Sequence, residues 1–262
     1  EAVSSRYVAV VHYKDNGKID HIISEEFVNP ATKVGLKKTE DVNGIGGYSV
    51  IALNDFTNSG HIDGSVYVGG TLYGSGGVDN CMSSGSDVKG YNESYVNNVD
   101  SNATVSMRIP GANNGNETSD NRQVASLTDI SNEDAANTSQ YWNAYYNMML
   151  KLVAEAGVKN PSTGELNYYM TDDKGNKNGA LYYLKAGDNG VVTLSGNYTS
   201  QNKNNRIPNV YIVDPNAKIV NVSGTNAIVL APTADVYLAS FSEGQNTGTV
   251  VGNNVFNTGK YY

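Results

Sequence analysis

The sequence predicts a mainly β chain with one long flanking helix. Three observations carry that. The last third strings together short apolar runs with no helix between them: "GVVTLSG", "NVYIVDP", "AKIVNVSG", "NAIVLAP", "ADVYLAS" and "GTVVGNNVF". Each run has the length of a strand and stops at Gly, Pro, Asn, Asp or Ser. One segment only, residues 131–156, carries a sustained helical stripe. The aromatic content is almost all tyrosine, with 19 Tyr against 4 Phe and 1 Trp, a composition suited to half-exposed sheets and contact surfaces.

At the N-terminus, "RYVAVVHYKDNGKIDHIIS" sets Asp15, Asn16 and Gly17 between two apolar runs and predicts a hairpin within residues 1–45. His12 and His21 flank that turn and are expected to face each other across it. A further apolar run, "YSVIALNDF", spans residues 48–56. "SGHIDGSVYVGGTLYGSGG" follows at 59–77, with Ile62, Val66, Val68 and Leu72 apolar and then a run of glycine. Residues 74–129 are rich in Ser, Asn, Gly and Asp, with islands such as "ATVSMRI" that could be strands.

In 131–156, Ser131 with Asp134 three residues on forms an N-terminal cap signal. Ala135, Thr138, Trp142, Tyr145, Met149, Leu152 and Ala156 recur at spacings of three and four, one stripe along a helix. Gly157 stands at the C-cap. A helix of about seven turns needs a long apolar surface to lie against. Then "LNYYMTDDKGNKNGALYYLKA" reads as two tyrosine-rich strands around a polar turn. Asp172, Asp173, Asn176 and Asn178 in that turn do not match the spacing of a calcium loop. Residues 190–258 form the C-terminal β-coils. Strands of unequal length show no repeat period, so a solenoid and a β-sandwich with a flanking helix both remain open on periodicity.

Net charge is −8, which disfavours a nucleic-acid partner and an anionic membrane surface. No run approaches the ~18 apolar residues of a membrane helix. The one cysteine, Cys81, excludes an internal disulfide and fits a bacterial surface protein better than a secreted animal one. The chain starts at Glu1 and reads as a mature piece whose targeting and anchoring parts lie elsewhere.

Two segments resemble a known family. "ALNDFTNSGHIDGSVYVGGTL" is similar to the opening motif of choice-of-anchor A domains, with Asp55, Ile62, Asp63, Gly64, Val66, Val68, Gly69 and Gly70 in the matching places. "NAIVLAPTADVYLASFSEGQNTGTVVGNNV" is similar to the closing motif, with Leu230, Ala231, Pro232, Ala234, Val236, Gly248, Val250 and Val251 matching, and Thr233 replacing the usual Asn. The resemblance spans residue 48 to the C-terminus. It implies a single β-solenoid domain with a long helix along it, in a secreted or wall-anchored bacterial protein, Gram-positive in our reading. It implies a non-catalytic adhesin, collagen-binding-like, a monomeric domain of a larger surface protein that binds matrix protein or glycan. No catalytic motif and no cofactor come with it.

Residues that could serve other chemistries are few. Gly64, Gly69, Gly70 and their neighbours lack the context of a phosphate loop and read as glycines where coils turn or backbones approach. His12, His21 and His61 have no partner at metal spacing. Asp55, Asp63 and Asp235 are the nearest candidates for a polysaccharide-active enzyme on a solenoid scaffold, and each is more simply a turn or strand-end residue. Ice binding needs a regular threonine array, whereas the threonines here are scattered. A purely structural stalk is a further reading. Cys81 with Gln140 would serve a thioester that captures amines covalently, a bond that lowers the intact mass by one ammonia. Sequons at Asn92, Asn102, Asn116, Asn137, Asn197 and Asn221 read as unoccupied in a bacterial host.

Overall fold

The computed structural model describes residues 7–26, 48–62, 65–78, 83–84, 87–88, 94–103, 127–171, 174–195, 209–239 and 247–261. They are mainly β with one helix. Strands β1 (Tyr7–Tyr13) and β2 (Ile19–Glu26) make the predicted hairpin, and His12 pairs with His21 across it. The two imidazoles stack with centroids 4.5 Å apart. The run at 48–56 splits into β3 (Tyr48–Ala52) and β4 (Phe56–Asn58), followed by β5 (His61–Ile62). The glycine-laden stretch supplies β6 (Ser65–Tyr73) and β7 (Gly77–Val78). A two-strand pair, β8 (Ser83–Ser84) and β9 (Asp87–Val88), precedes β10 (Ser94–Val99) and β11 (Leu127–Asp129). The "ATVSMRI" island lies almost wholly outside the described residues.

Helix α1 runs Asn132–Ala156. Ser131 caps it, its side chain accepting from the Asp134 N–H, and the Gly157 N–H closes it on Val153. After it come β12 (Val158–Asn160) and the tyrosine-rich antiparallel pair β13 (Glu165–Thr171) and β14 (Lys177–Leu184). Then follow β15 (Val191–Ser195), β16 (Asn209–Val213) and β17 (Ile219–Ser223). The two runs "NAIVLAP" and "ADVYLAS" are one strand, β18 (Asn226–Ala239), bent where its register shifts between Ala231 and Asp235. Pro232 ends the first run in the sequence, yet at a bend its missing N–H costs little. β19 (Thr247–Asn257) and β20 (Lys260–Tyr261) end the chain.

Most of these strands stack in parallel. β14, β16, β18, β19, β3, β6, β10 and β11 pair in that order as one face. A second face is built by β15, β17, the second half of β18, the second half of β19, β4, the end of β6 and the end of β10. A third, short one pairs β20, β5 and β7. Because β3 and β4 both lie between β19 and β6, those four parallel strands close a ring of pairings. The last long strand thus docks on the first of the stack.

The first face is buried on both sides, which explains its continuous apolar runs. Val50, Val66, Val229 and Val250 point inward, beside a second row of Ala52, Val68, Val96 and Val213. Ile51, Tyr67, Tyr95, Ile212, Leu230 and Val251 point outward beneath α1. Stacked Tyr182 and Tyr211, 4.7 Å apart, close the β14 end of the inner core. We call this the covered face.

The helix crosses its strands. Asn97 bonds Asn132 near the N-terminal end, the Tyr146 hydroxyl donates to the Val213 carbonyl midway, and Glu155 accepts from the Ile19 N–H at the far end. Twenty-five residues give a rod of about 37 Å. Eight strands at ~4.8 Å spacing make a face about 34 Å across. Helix length matches the stack it covers. Its buried residues are Thr138, Trp142, Tyr146, Met149 and Leu152. Tyr146 replaces the expected Tyr145 as the buried tyrosine, and Tyr145 lies half-buried beside Trp142. A flat sheet contacts a wider arc of helix than a single narrow seam does, so spacings of 4, 4, 3 and 3 serve.

Leu152→Ala would leave a cavity under the helix and is expected to cost about 2–5 kcal/mol, read as a lower urea midpoint at unchanged slope. Burial pushes the Tyr67 hydroxyl up to about 12, the Thr138 hydroxyl offsetting part of this and the Asp134 charge adding to it. Burial likewise raises Tyr146. The unfolded chain therefore loses these protons first, near its ordinary value of about 10. Their contribution is whole below pH 10 and is expected to fall as pH rises toward 12. Unfolding midpoints across that range check it, with Tyr67→Phe showing the shallower decline.

Candidate binding face and its corners

The second face alternates. Val192, Val220, Val236, Val255, Phe56 and Leu72 form one inward ladder, each on register with the next. Residues between them face solvent. Thr193, Asn221, Tyr237, Phe256, Thr57 and Tyr73 make one outward row across six strands. Tyr237 and Tyr73 are 40% and 39% exposed; Tyr13 on β1 and Tyr169 on β13, outside this face, are comparably exposed. Tyr237 and Phe256 stack with centroids 4.7 Å apart and planes 10° apart. A neighbouring outward row carries Val191, Ile219, Asp235 and Asn254. We call this the open face.

Side-chain hydrogen bonds tie the corner between the two faces. Asn254 donates to Asp235 at 3.0 Å. Its own carbonyl oxygen accepts from the Asn54 amide and the Asp55 N–H. Asp55 in turn accepts from the Thr71 N–H at 2.9 Å, and Asn98 donates to the Thr71 hydroxyl. A second chain of amides lies inside the next corner. Asn257 donates to Asn58 at 3.0 Å, and Asn58 donates to the Gly77 carbonyl. Both are 1% exposed, and buried amides of this kind need every bond they make.

The expected motif residues fall at these corners. Gly69 and Gly70 meet the turn at Leu53–Asp55. A Cβ on Gly69 would lie 2.3 Å from the Leu53 carbonyl oxygen, and one on Gly70 2.5 Å from Asp55 Oδ1. Ala231, Pro232 and Ala234 are buried at the bend of β18. Asp55 and Asp235 share Asn254 as a common partner. Asp63, Gly64 and Cys81 lie outside the described residues, as do Asp172, Asp173, Asn92, Asn116 and Asn197. Gln140 is exposed on α1. Asn221 is exposed on the open face, Asn102 is exposed in a turn, and Asn137 is exposed within α1. His12 and His21 sit together on the hairpin, with Asp20 against His21 at 2.8 Å, while His61 lies apart on β5. Among the described residues no three His, Cys, Asp or Glu side chains form a group that could hold a metal ion.

Residues 41–229 match the model of a family described as "Putative Ice-binding-like adhesive domain". That is more than half of the 262 residues. The chain belongs to this family of adhesive domains. No curated protein and no solved structure matches it. Among the described residues of the adhesive domain, no helix is long and apolar enough to cross a membrane.

The outward row was not singled out in the sequence. Its members are far apart along the chain and only register joins them. The available signal was alternation: "VYL", "VFN" and "FTN" each place the outward residue between inward ones.

Gly69→Val would force a side chain into the Leu53 carbonyl of the adjoining corner. It is expected to abolish the cooperative thermal transition. A folded, soluble Gly69→Val domain would contradict this corner geometry.

Proposed function

We propose that this is an extracellular, non-catalytic adhesive domain of a bacterial surface or secreted protein, and that its open face is the contact surface. We infer that the stacked parallel strands are a β-solenoid and that the chain falls within the choice-of-anchor A group, on the strength of Asp55, Gly69, Gly70, Ala231, Pro232 and Ala234. The observation that carries the reading is the asymmetry between the two faces. One is covered along its whole width by α1. The other presents aromatic rings, amides and hydroxyls in straight rows some 24 Å long at ~4.8 Å per strand. A broad patch of that size with exposed rings suits a macromolecular partner, matrix protein or glycan.

Catalysis draws less support. Asp55 and Asp235 serve as hydrogen-bond acceptors at a corner, bridged by Asn254. Ice binding draws less support too, because the open face mixes threonine with rings, amides and a carboxylate rather than repeating one spacing of hydroxyls.

The test is adhesion of the purified domain to collagen, mucin and whole cells. Thr57→Lys with Asn221→Lys is expected to weaken it about tenfold or more at unchanged circular dichroism. Met148→Lys, on the exposed side of α1, should leave it intact. Equal adhesion by all three proteins would remove the open face from the account.

A further inference from the structure

We propose that the open face takes a neutral polysaccharide, with a sugar ring seated over Thr57 between Phe256 and Tyr73. This rests on the open face being the contact surface. The stacking distance of Tyr237 and Phe256, 4.7 Å, equals the spacing of their strands, so the ring faces look across the strands. Tyr237 covers one face of Phe256. The other looks over β4, where the outward residue is Thr57. Beyond it stands Tyr73 on β6. Phe256 and Tyr73 are two strands apart, roughly 9.6 Å. With the Tyr73 ring parallel to that of Phe256, the short Thr57 side chain leaves room between them, a slot about one ring thick.

The surroundings select the occupant. A sugar ring has C–H faces that pack on aromatic faces and hydroxyls around its edge. The slot offers aromatic rings at its sides and the Thr57 and Tyr73 hydroxyls with them. Asn254, Asp235, Thr71 and Asn98 lie in the next row along the strands. Asp235 uses one oxygen on Asn254, and a carboxylate keeps further acceptor capacity. The two outward rows bear a carboxylate and, in Val191, Thr193, Ile219, Asn221, Asp235, Tyr237, Asn254, Phe256, Thr57 and Tyr73, neither Lys nor Arg. With a net charge of −8, an anionic glycan would be repelled and a neutral one would not.

The test applies the whole 262-residue chain to immobilised cello-oligosaccharides, chito-oligosaccharides, mannan and amylose, with heparin, polygalacturonate and type I collagen alongside. Retention on at least one neutral chain and on neither anionic one is expected. Phe256→Ala and Tyr73→Ala should each weaken that retention about tenfold or more, and Thr57→Tyr, which fills the slot, should abolish it. Circular dichroism and the urea midpoint establish that each variant is folded, and Tyr73→Ala carries the test if Thr57→Tyr is not. No retention on any neutral chain, or retention untouched by the folded variants, overturns the proposal. Binding to collagen alone, lost with Thr57→Lys and Asn221→Lys, overturns the sugar while leaving the open face as the contact surface. Binding that no open-face substitution alters overturns both.

Discussion

The covered face must be apolar on both of its sides, and the rest of the molecule follows from that. Its inward residues fill the space enclosed by the stacked strands, and its outward residues would stand in water without α1. Ile51, Tyr67, Tyr95, Leu230 and Val251 come from five strands scattered along the chain, yet all lie under one helix. A single rod about as long as the stack is wide buries them together. Losing the helix would expose the whole row at once, a contiguous patch far above what a soluble monomer tolerates.

The same constraint frees the open face. Because α1 already covers one side, the corner has to hold the second at a fixed angle. It does so with a close backbone approach at Gly69–Gly70 and with side-chain bonds running through Asp235, Asn254, Asp55 and Thr71. The inward valines and Phe56 anchor the open face from below. Thr193, Asn221, Tyr237, Phe256, Thr57 and Tyr73 lie outside both core clusters, so tyrosine, asparagine and threonine can stand there without cost to the core.

Local features were legible in the sequence. The Asp-Asn-Gly turn gave the hairpin, and Ser131 and Gly157 bounded the helix to within a residue. The apolar runs marked strands, but which of them are buried on both sides and which keep a wet side came from the structure. What a linear reading could not supply was pairing across distance. β19 docks on β3 some two hundred residues earlier, and nothing local in either strand names the other. Strands of unequal length left no period to read. The bend of β18 read as two strands because Pro232 and Asp235 are ordinary stop signals, overridden here by a corner that needs them. Tyr145 and Tyr146 exchanged roles because stripe spacing alone does not fix the width of the surface beneath.

The most direct measurement is hydroxyl-radical footprinting of the intact chain, free and bound to the surface that retains it best. Protection of Tyr73, Tyr237 and Phe256 together is expected, with Tyr169, exposed on β13, and Met148, exposed on α1, modified equally in both states. Protection confined to Tyr169, Met148 or the helix, with the three open-face rings unchanged, would contradict it.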